Sequence, residues 1–220
     1  SSIETFISKI DKSLSLFNQG SISSDSLLNL QIELKESISQ NPETGKALGK
    51  YYSIINKAIQ SKETAIALVL FPLLNGAVSI GHKPGGKISY KTLQNNGITT
   101  ILTLLNQNEG ALLIGKDAKK AGLNWIWFPF SASNPLQGED LKKAWDLYAQ
   151  LKKELEAGGK IYIHCSAGIH RTGMIAYGLL RFLGYDTAVS TEILLKLRPV
   201  TAVQVGEERL KWGDIFKTSK

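Results

Sequence analysis

The sequence predicts an α/β fold with a mostly parallel central sheet flanked by helices, preceded by an all-α amino-terminal extension. After about residue 75, short apolar runs alternate with segments of helical periodicity, which is typical of parallel strands covered by helices. Before residue 66, apolar residues recur at helical spacing, so helices are expected there. We therefore divide the chain into a helical extension, residues 1–66, and an α/β domain, residues 67–220.

Three amphipathic helices are predicted in the extension. The first covers Ser2 to Asn18 and ends at Gln19-Gly20. Serine-rich residues start the second, and Asn41-Pro42 separates it from a third that runs to about Ile59. Short links between such helices favour a small bundle or a cap packed on the α/β domain. The extension carries no chemical motif, so regulation, docking of a partner or covering of a sheet face are its candidate roles.

The α/β domain begins with an apolar run and ends with helices. Apolar and β-branched runs predict the strands Ala77–Ile80, Ile98–Leu105, Asn124–Phe128 and Lys160–Ile163. Helical spacing of apolar residues predicts the helices Ser89–Asn95, Leu141–Glu156, Ile175–Leu183 and Thr187–Lys196. A final helix follows Arg198-Pro199.

The segment 164–173, His-Cys-Ser-Ala-Gly-Ile-His-Arg-Thr-Gly, links the fourth strand to a helix and holds the only cysteine of the chain, Cys165. A tight turn between a strand and a helix directs backbone N–H groups at one spot, and the helix dipole adds to their attraction for an anion. Gly168 and Gly173 allow tight turns. Five residues separate the thiol from Arg171, so a closed loop brings the guanidinium over the same spot, where its planar fork can grip two phosphate oxygens.

That positive environment favours thiolate over thiol, which makes the cysteine a candidate nucleophile. The alternative is a lone buried cysteine in a core turn, since free cysteine is commonly buried. That alternative accounts for the thiol but not for the arginine, the glycines and the hydroxyl together.

The segment resembles the His-Cys-x5-Arg-Thr signature of the protein tyrosine phosphatase superfamily. The resemblance implies a hydrolase, a phosphatase working through a phosphocysteine intermediate without a metal or another cofactor. It implies that Cys165 is the nucleophile, that Arg171 binds the phosphate and the transition state, and that Thr172 donates to the thiolate and helps it leave. His164 would orient the loop and favour the thiolate, as well as bonding to nearby backbone. The phosphoryl oxygens would be held by the amides of Ser166, Ala167, Gly168, Ile169, His170 and Arg171.

The position of the loop narrows the resemblance to the compact dual-specificity-like branch, with its cysteine phosphatase fold. Low-molecular-weight phosphatases carry the loop near the start of their domain, whereas 55 residues follow Cys165 here. The resemblance covers about residues 75–215. It implies phosphotyrosine, phosphoserine or phosphothreonine in proteins as the default substrate. The alternatives are an RNA or nucleotide 5′-phosphatase, an inositol polyphosphate phosphatase, and a phosphate-binding pseudophosphatase module, against which the intact Cys165, Arg171 and Thr172 argue.

One departure from the family pattern concerns the general acid. The family usually supplies an aspartate on the loop after the strand that precedes the signature, here residues 129–140. Ser131, Ala132 and Ser133 stand where that aspartate is expected. The nearest carboxylates, Glu139 and Asp140, also suit the first turn of the next helix. Either one of them donates the proton, or the substrate has a good leaving group, such as an aryl phosphate or a phosphoanhydride.

A second departure is His170, which stands where many members carry glycine. Cationic residues within the loop resemble phosphatases that act on highly anionic substrates. The segment Gly81–Lys87 follows the first predicted strand, and in similar phosphatases the corresponding loop borders the pocket, which makes His82 and Lys83 candidates for its rim. The alternative is an ordinary glycine–proline turn with solvated lysines. Gln204 resembles the glutamine that positions water in some relatives, but a surface position is the better expectation for it.

The net charge of +7 belongs to the α/β domain. Residues 1–70 hold seven lysines and seven acids, whereas residues 71–220 hold 19 Lys and Arg against 12 Asp and Glu. A basic surface around a phosphate pocket steers anionic substrates. Nucleic-acid binders show the same excess, but 22 of the cations are lysines and no arginine-rich arm is present, so nucleic acid is a less favoured partner.

Composition excludes several classes. A single cysteine rules out an internal disulfide, and no metal-ligand cluster is visible. No apolar run approaches the ~20 residues of a membrane helix, so no membrane insertion is expected. With no signal peptide visible, a cytoplasmic location is expected, although the chain begins at Ser1 without a methionine.

Overall fold

The computed structural model describes residues 2–63 and 68–218. These two ranges form two compact units, which we call the first and the second unit. The predicted division after residue 66 falls outside the described residues.

The first unit consists of three helices that pack on one another, which confirms the predicted all-α extension. They are α1 (Ser2–Asn18), α2 (Ser24–Gln40) and α3 (Thr44–Glu63). Their apolar faces meet in a core that contains Ile10, Phe17, Leu27, Leu34, Leu48, Ile55 and Ile59. Gln31 is buried among them, and its amide donates to Tyr52 O and Asn56 Oδ1 at 3.1 and 2.7 Å. These bonds satisfy a polar group that would otherwise oppose burial.

The second unit is built on a five-stranded sheet in the order β1-β2-β5-β3-β4. The strands are β1 (Phe71–Leu73), β2 (Gly76–Gly81), β3 (Thr100–Thr103), β4 (Asn124–Trp127) and β5 (Lys160–His164). All neighbouring pairs are parallel except β1 with β2. The mostly parallel sheet is therefore confirmed, and the short antiparallel β1 at its edge is an element that the sequence did not predict.

Helices cover both faces of the sheet. They are α4 (Tyr90–Asn95), α5 (Ala111–Lys120), α6 (Gly138–Glu156), α7 (His170–Phe182), α8 (Thr187–Leu197), α9 (Pro199–Gln204) and α10 (Glu207–Trp212). Ile161 and Ile163 of β5 pack with residues of α6 and α7, whereas Tyr162 packs with residues of α4 and α5 on the opposite face. This alternation is the two-residue period of a strand buried on both sides.

The predicted elements differ from the observed ones in their bounds, and β1, α5 and a second helix after Arg198 were not predicted. The helix predicted from Leu141 begins at Gly138, and the strand predicted over Ile98–Leu105 shortens to Thr100–Thr103. Helix α5 was not predicted. Its ten residues contain Gly115, and a Cβ there would lie 2.6 Å from the Trp125 ring, so close packing on β4 requires the glycine that weakens the helical pattern.

The order of the strands determines where a site can form. Because β2, β5, β3 and β4 are parallel, the loops that follow them emerge at one edge of the sheet. In open α/β sheets, ligands bind at this edge. The segments that meet there follow β2 at His82, β5 at Cys165, β3 at Leu104 and β4 at Phe128.

Candidate active site

The segment after β5 forms a closed loop between the central strand and the first turn of α7, which begins at His170. We call residues 165–171 the phosphate loop. Cys165 is buried, with 4% of its surface exposed. The Thr172 hydroxyl, fully buried in the first turn of the helix, donates to Cys165 Sγ at 3.1 Å. The sulfur therefore has a hydrogen-bond donor fixed beside it.

Four successive carbonyl groups of the phosphate loop face the surrounding protein. Cys165 O contacts His164 Nδ1 at 2.8 Å, and Ser166 O accepts from Lys83 N at 3.1 Å. Ala167 O and Gly168 O accept from the Arg198 guanidinium at 2.7 and 2.9 Å. In a trans peptide the N–H points opposite to the C=O. The amides of residues 166–169 therefore point away from these partners, into the loop, where they form a nest for an anion.

A chain of side chains holds the first of these carbonyls. Trp125 Nε1 donates to Thr103 Oγ1 at 2.8 Å, and Thr103 Oγ1 lies 2.7 Å from His164 Nε2. A carbonyl oxygen can only accept, so His164 Nδ1 carries the proton toward Cys165 O and Nε2 accepts from Thr103. Burial lowers the pKa of His164 to about 4, so the ring is neutral at pH 7. His164 thus acts on the loop through this fixed orientation and not through a positive charge.

Arg198 holds the last two of these carbonyls. Its side chain is buried, and its guanidinium contacts Ala167 O, Gly168 O, Thr201 Oγ1 and His82 Nε2. Gly168 adopts φ +71°, and a Cβ there would lie 2.3 Å from Gly81 O. Only glycine permits both this backbone and this close approach.

Arg171 is held by a carboxylate that sequence reasoning missed. Its two terminal nitrogens donate to the two oxygens of Glu109 at 2.7 and 2.8 Å, a bidentate pair. Hydrogen bonding to Arg171 lowers the pKa of Glu109 to about 2, so this carboxyl is ionised at neutral pH. Glu109 lies in a short 3₁₀ helix after β3, Gln107–Glu109, whose start is capped reciprocally with Asn106. The Asn-x-x-Glu spacing was the available signal for the cap, but it does not reveal the arginine 62 residues away.

The predicted rim residues lie beside the phosphate loop. Lys83 N contacts Ser166 O, as described above, and His82 O accepts from the Tyr162 hydroxyl at 2.6 Å. Burial, followed by the charges of Arg198 and Lys87, lowers the pKa of His82 to about 4. The loop after β2 therefore packs on the phosphate loop, while the side chain of Lys83 is exposed.

The loop after β4 brings no carboxylate to the site before residue 139. Phe128 and Phe130 anchor it in the core, and Arg209 Nε donates to Ala132 O at 3.1 Å. Glu139 and Asp140 lie exposed in the first turn of α6, where acidic residues interact favourably with the helix dipole. Their role as the general acid stays a prediction.

The structure also places the three remaining residues that the sequence analysis singled out. Gly173 does not form a turn: it lies inside α7, where a Cβ would come 2.7 Å from the Val205 side chain, so it serves helix packing. The expected surface position of Gln204 is wrong, since it is 5% exposed. His170 is the exposed first residue of α7, directly before Arg171.

The comparisons agree with this geometry. The family model described as "Polymorphic toxin system, DSP-PTPase phosphatase" matches residues 76–184. This match spans β2, the phosphate loop and α7. The second unit of the chain, which contains the matched residues, belongs to the protein tyrosine phosphatase superfamily, in its dual-specificity-like branch. It is a cysteine-dependent phosphatase, as the phosphate-loop sequence indicated.

Solved structures share the fold at low identity. A kinase associated phosphatase whose catalytic-site cysteine is replaced by serine aligns with a TM-score of 0.55 and 17% identity, over 69% of this chain and 93% of that one. Tk-PTP in its active form aligns with a TM-score of 0.52 and 17% identity, over 69% and 96%. PTPMT1 aligns with a TM-score of 0.51 and 17% identity, over 67% and 93%. Among curated proteins, none matches this sequence significantly.

Residues 2–63 and 68–218 lack two features. No helix in these ranges is long and apolar enough to cross a membrane. The same ranges contain no group of three or more His, Cys, Asp or Glu side chains arranged to hold a metal ion.

Proposed function

We propose that this phosphatase hydrolyses its substrate through a phosphocysteine formed on Cys165. The observation that supports this role best is the phosphate loop itself. Four outward carbonyls direct the amides of residues 166–169 to one spot, beside a sulfur that accepts from Thr172. Arg171 completes the site, with its guanidinium oriented by Glu109. Such donors are fixed before the reaction, so they stabilise developing charge on the phosphoryl oxygens without reorganising.

The reaction has two steps. The Cys165 thiolate attacks phosphorus, an S–P bond forms, and the P–O bond to the leaving group breaks with its electron pair on oxygen. The amides and Arg171 hold the three other phosphoryl oxygens. Water then attacks phosphorus, the S–P bond breaks, and the sulfur departs as a thiolate that the Thr172 hydroxyl stabilises. The products are the dephosphorylated compound and inorganic phosphate.

The loop after β4 argues for a substrate whose leaving group needs no proton from the enzyme. Residues 129–137 contain no carboxylate. Glu109, the carboxylate that contacts Arg171, has a pKa of about 2 and cannot serve as an acid near neutral pH. A phenolate is a far better leaving group than an alkoxide. We therefore favour a substrate with such a leaving group, either an aryl phosphate such as phosphotyrosine or a phosphoanhydride, over phosphoserine or phosphothreonine.

A role for the three amino-terminal helices in docking a partner and a cytoplasmic location stay predictions. The charge of the second unit supports an anionic substrate.

Acid quenching during turnover of an aryl phosphate tests the proposal. The parent enzyme should show a mass increase of one phosphoryl group on the peptide that contains Cys165. Cys165→Ser should abolish both this adduct and turnover, because an unassisted hydroxyl is a much weaker nucleophile, while vanadate binding stays measurable. Thr172→Ala should retain the adduct for longer, since the thiolate then leaves without its hydrogen bond. Turnover by Cys165→Ser near the parent rate would overturn the phosphocysteine mechanism.

A further inference from the structure

The loop after β2 is joined to the phosphate loop by three separate contacts. The backbone amide of Lys83 donates to Ser166 O at 3.1 Å. The Tyr162 hydroxyl, from the central strand, donates to His82 O at 2.6 Å. The His82 ring lies 3.1 Å from the Arg198 guanidinium, which itself holds Ala167 and Gly168. The position of Lys83 relative to the phosphate loop is therefore fixed from both sides.

The segment beyond Lys83 is a tight turn. Gly85 N donates to Ile88 O at 2.8 Å, and Pro84 pairs with Ile88 in a β-bridge. Gly85 takes φ +96°, which suits glycine. The turn places Lys83 at its start and Lys87 near its end, both exposed. These two lysines therefore project from a rigid support and not from a flexible loop.

The charge of Lys83 reaches the site. After burial itself, the Lys83 ammonium is among the causes that lower the pKa of His164, the buried residue directly before Cys165. Lys87 acts in the same way on His82. A lysine carries its charge as a mobile point at the end of a four-carbon stem, so it can follow an anion at the rim.

This second cation is more than one transferred phosphoryl group requires. The amides of the phosphate loop and the fork of Arg171 already provide donors for the three non-bridging oxygens of that group. A cation at the rim beside Ser166 is placed to meet a further anion on the part of the substrate that leaves.

We propose that Lys83 forms a subsite for a second phosphate next to the one transferred, and that the substrate is a phosphoanhydride. The assignment rests on the proposed phosphocysteine mechanism and specifies its substrate. When the Cys165 thiolate attacks the terminal phosphorus, the P–O bond of the anhydride breaks and the electron pair stays on the leaving phosphate. Lys83 stabilises that charge. A leaving phosphate needs no proton from a carboxylic acid, which accounts for the loop after β4 carrying none through residue 137.

The test compares two substrates in three forms of the full chain at one ionic strength. The substrates are inorganic tripolyphosphate and p-nitrophenyl phosphate, and the forms are the parent, Lys83→Gln and Lys152→Gln. The last variant removes the same charge from the exposed face of α6. We expect the ratio of kcat/KM for tripolyphosphate to that for the aryl phosphate to fall about tenfold in Lys83→Gln, the effect of one lost charge-assisted hydrogen bond. The ratio should stay at the parent value in Lys152→Gln and recover in Lys83→Arg.

The outcomes separate this proposal from the previous one. An unchanged ratio in Lys83→Gln, or an equal fall in Lys152→Gln, overturns the subsite. A parent enzyme that turns over the aryl phosphate but no anhydride also overturns it, while the phosphocysteine mechanism stands. Inositol hexakisphosphate, which carries vicinal phosphate esters and no anhydride, is the third substrate: if its turnover depends on Lys83 and that of tripolyphosphate does not, the subsite serves neighbouring esters and the anhydride assignment is wrong. If no substrate gives a phosphoryl adduct on Cys165, the phosphocysteine mechanism is itself wrong.

Discussion

The loops after β5 and after β4 emerge at the same edge of the sheet but carry very different polar and ionisable groups. In the first, four carbonyls are held by His164, Lys83 and Arg198, and the sulfur accepts from Thr172. In the second, two phenylalanines and a bond from Arg209 fix the backbone, yet no carboxylate precedes Glu139. The enzyme thus has the groups needed to bind and attack a phosphoryl group. In the loop where the family usually carries a general acid, it has no carboxylate to protonate the leaving group.

The largest effect on kcat should come from a substitution of Arg171 in the phosphate loop. Arg171→Lys keeps the charge but loses the two-point grip and the bidentate pair with Glu109. Loss of such a preorganised donor typically lowers kcat by about 10²–10³-fold. Steady-state kinetics on an aryl phosphate measure it, and thermal unfolding should show an intact fold.

Arg181→Lys is the matched control, because Arg181 lies on the same helix and pairs with Asp214. Its kcat should stay within a few-fold of the parent value. A lysine at position 171 that supports turnover close to the parent rate would show that the guanidinium does not clamp the transition state.

A smaller effect, on stability, should come from pH and from the two histidines that support the phosphate loop. His82 and His164 have pKa values of about 4 in the folded protein, chiefly because of burial, against an ordinary value of 6.5. Below pH 6.5 the unfolded chain takes up protons that the folded one does not. Stability should therefore fall as the pH drops from about 7 toward 4, with about 1.4 kcal/mol per pH unit from the buried His164 over the middle of that window and less from the partly exposed His82, whose charge is screened by solvent.

Urea unfolding followed by tryptophan fluorescence measures this slope. All four tryptophans, Trp125, Trp127, Trp145 and Trp212, lie in the second unit, so the signal reports on that unit alone. His82→Gln should reduce the slope between pH 5 and 6, since one of the two histidines no longer titrates. Identical slopes in the parent and the variant would contradict the assignment of a neutral His82 ring.

The smallest effect should come from the loop after β4. Glu139→Gln and Asp140→Asn should each change kcat by less than about threefold, because they alter only a helix-terminal charge interaction of about 0.3–1 kcal/mol. Aryl phosphates should be turned over far faster than alkyl phosphates, since general acid catalysis is worth about 10²–10⁴-fold where it operates. A hundredfold loss in either variant, with the fold intact, would identify a displaced general acid and remove the contrast between the two loops.

The sequence was most informative where the chemistry is local. Cys165, Arg171 and Thr172 lie within eight residues, and the strand and helix around them have clear periodicities, so their meeting point followed from spacing alone. The rim position of His82 and Lys83 was predicted from the resemblance, and the topology explains it, because loops after parallel strands share an edge. The resemblance to a known family supplied the roles, which spacing does not.

The residues that support the loop could not be predicted in the same way. Glu109 meets Arg171 across 62 positions, Thr103 meets His164 across 61, and Arg198 meets Gly168 across 30. Each reads locally as an ordinary residue: a capping glutamate, a strand threonine, an arginine before a proline. Their function appears only after the strands are ordered β2-β5-β3, which no local pattern specifies. Gly173 was misassigned for the same reason, since the Val205 side chain that it packs against is distant in sequence. Gln204 was expected at the surface but is buried in the folded unit.

The outward carbonyls also bear on how the catalytic cycle ends. Their partners are other parts of the protein, so the inward amides are arranged before any ligand arrives and stay arranged after hydrolysis. Inorganic phosphate presents to them the same oxygens that the substrate presented. The released product therefore competes with incoming substrate for one rigid cradle, and the concentration of free phosphate in its surroundings sets how much of the enzyme is vacant.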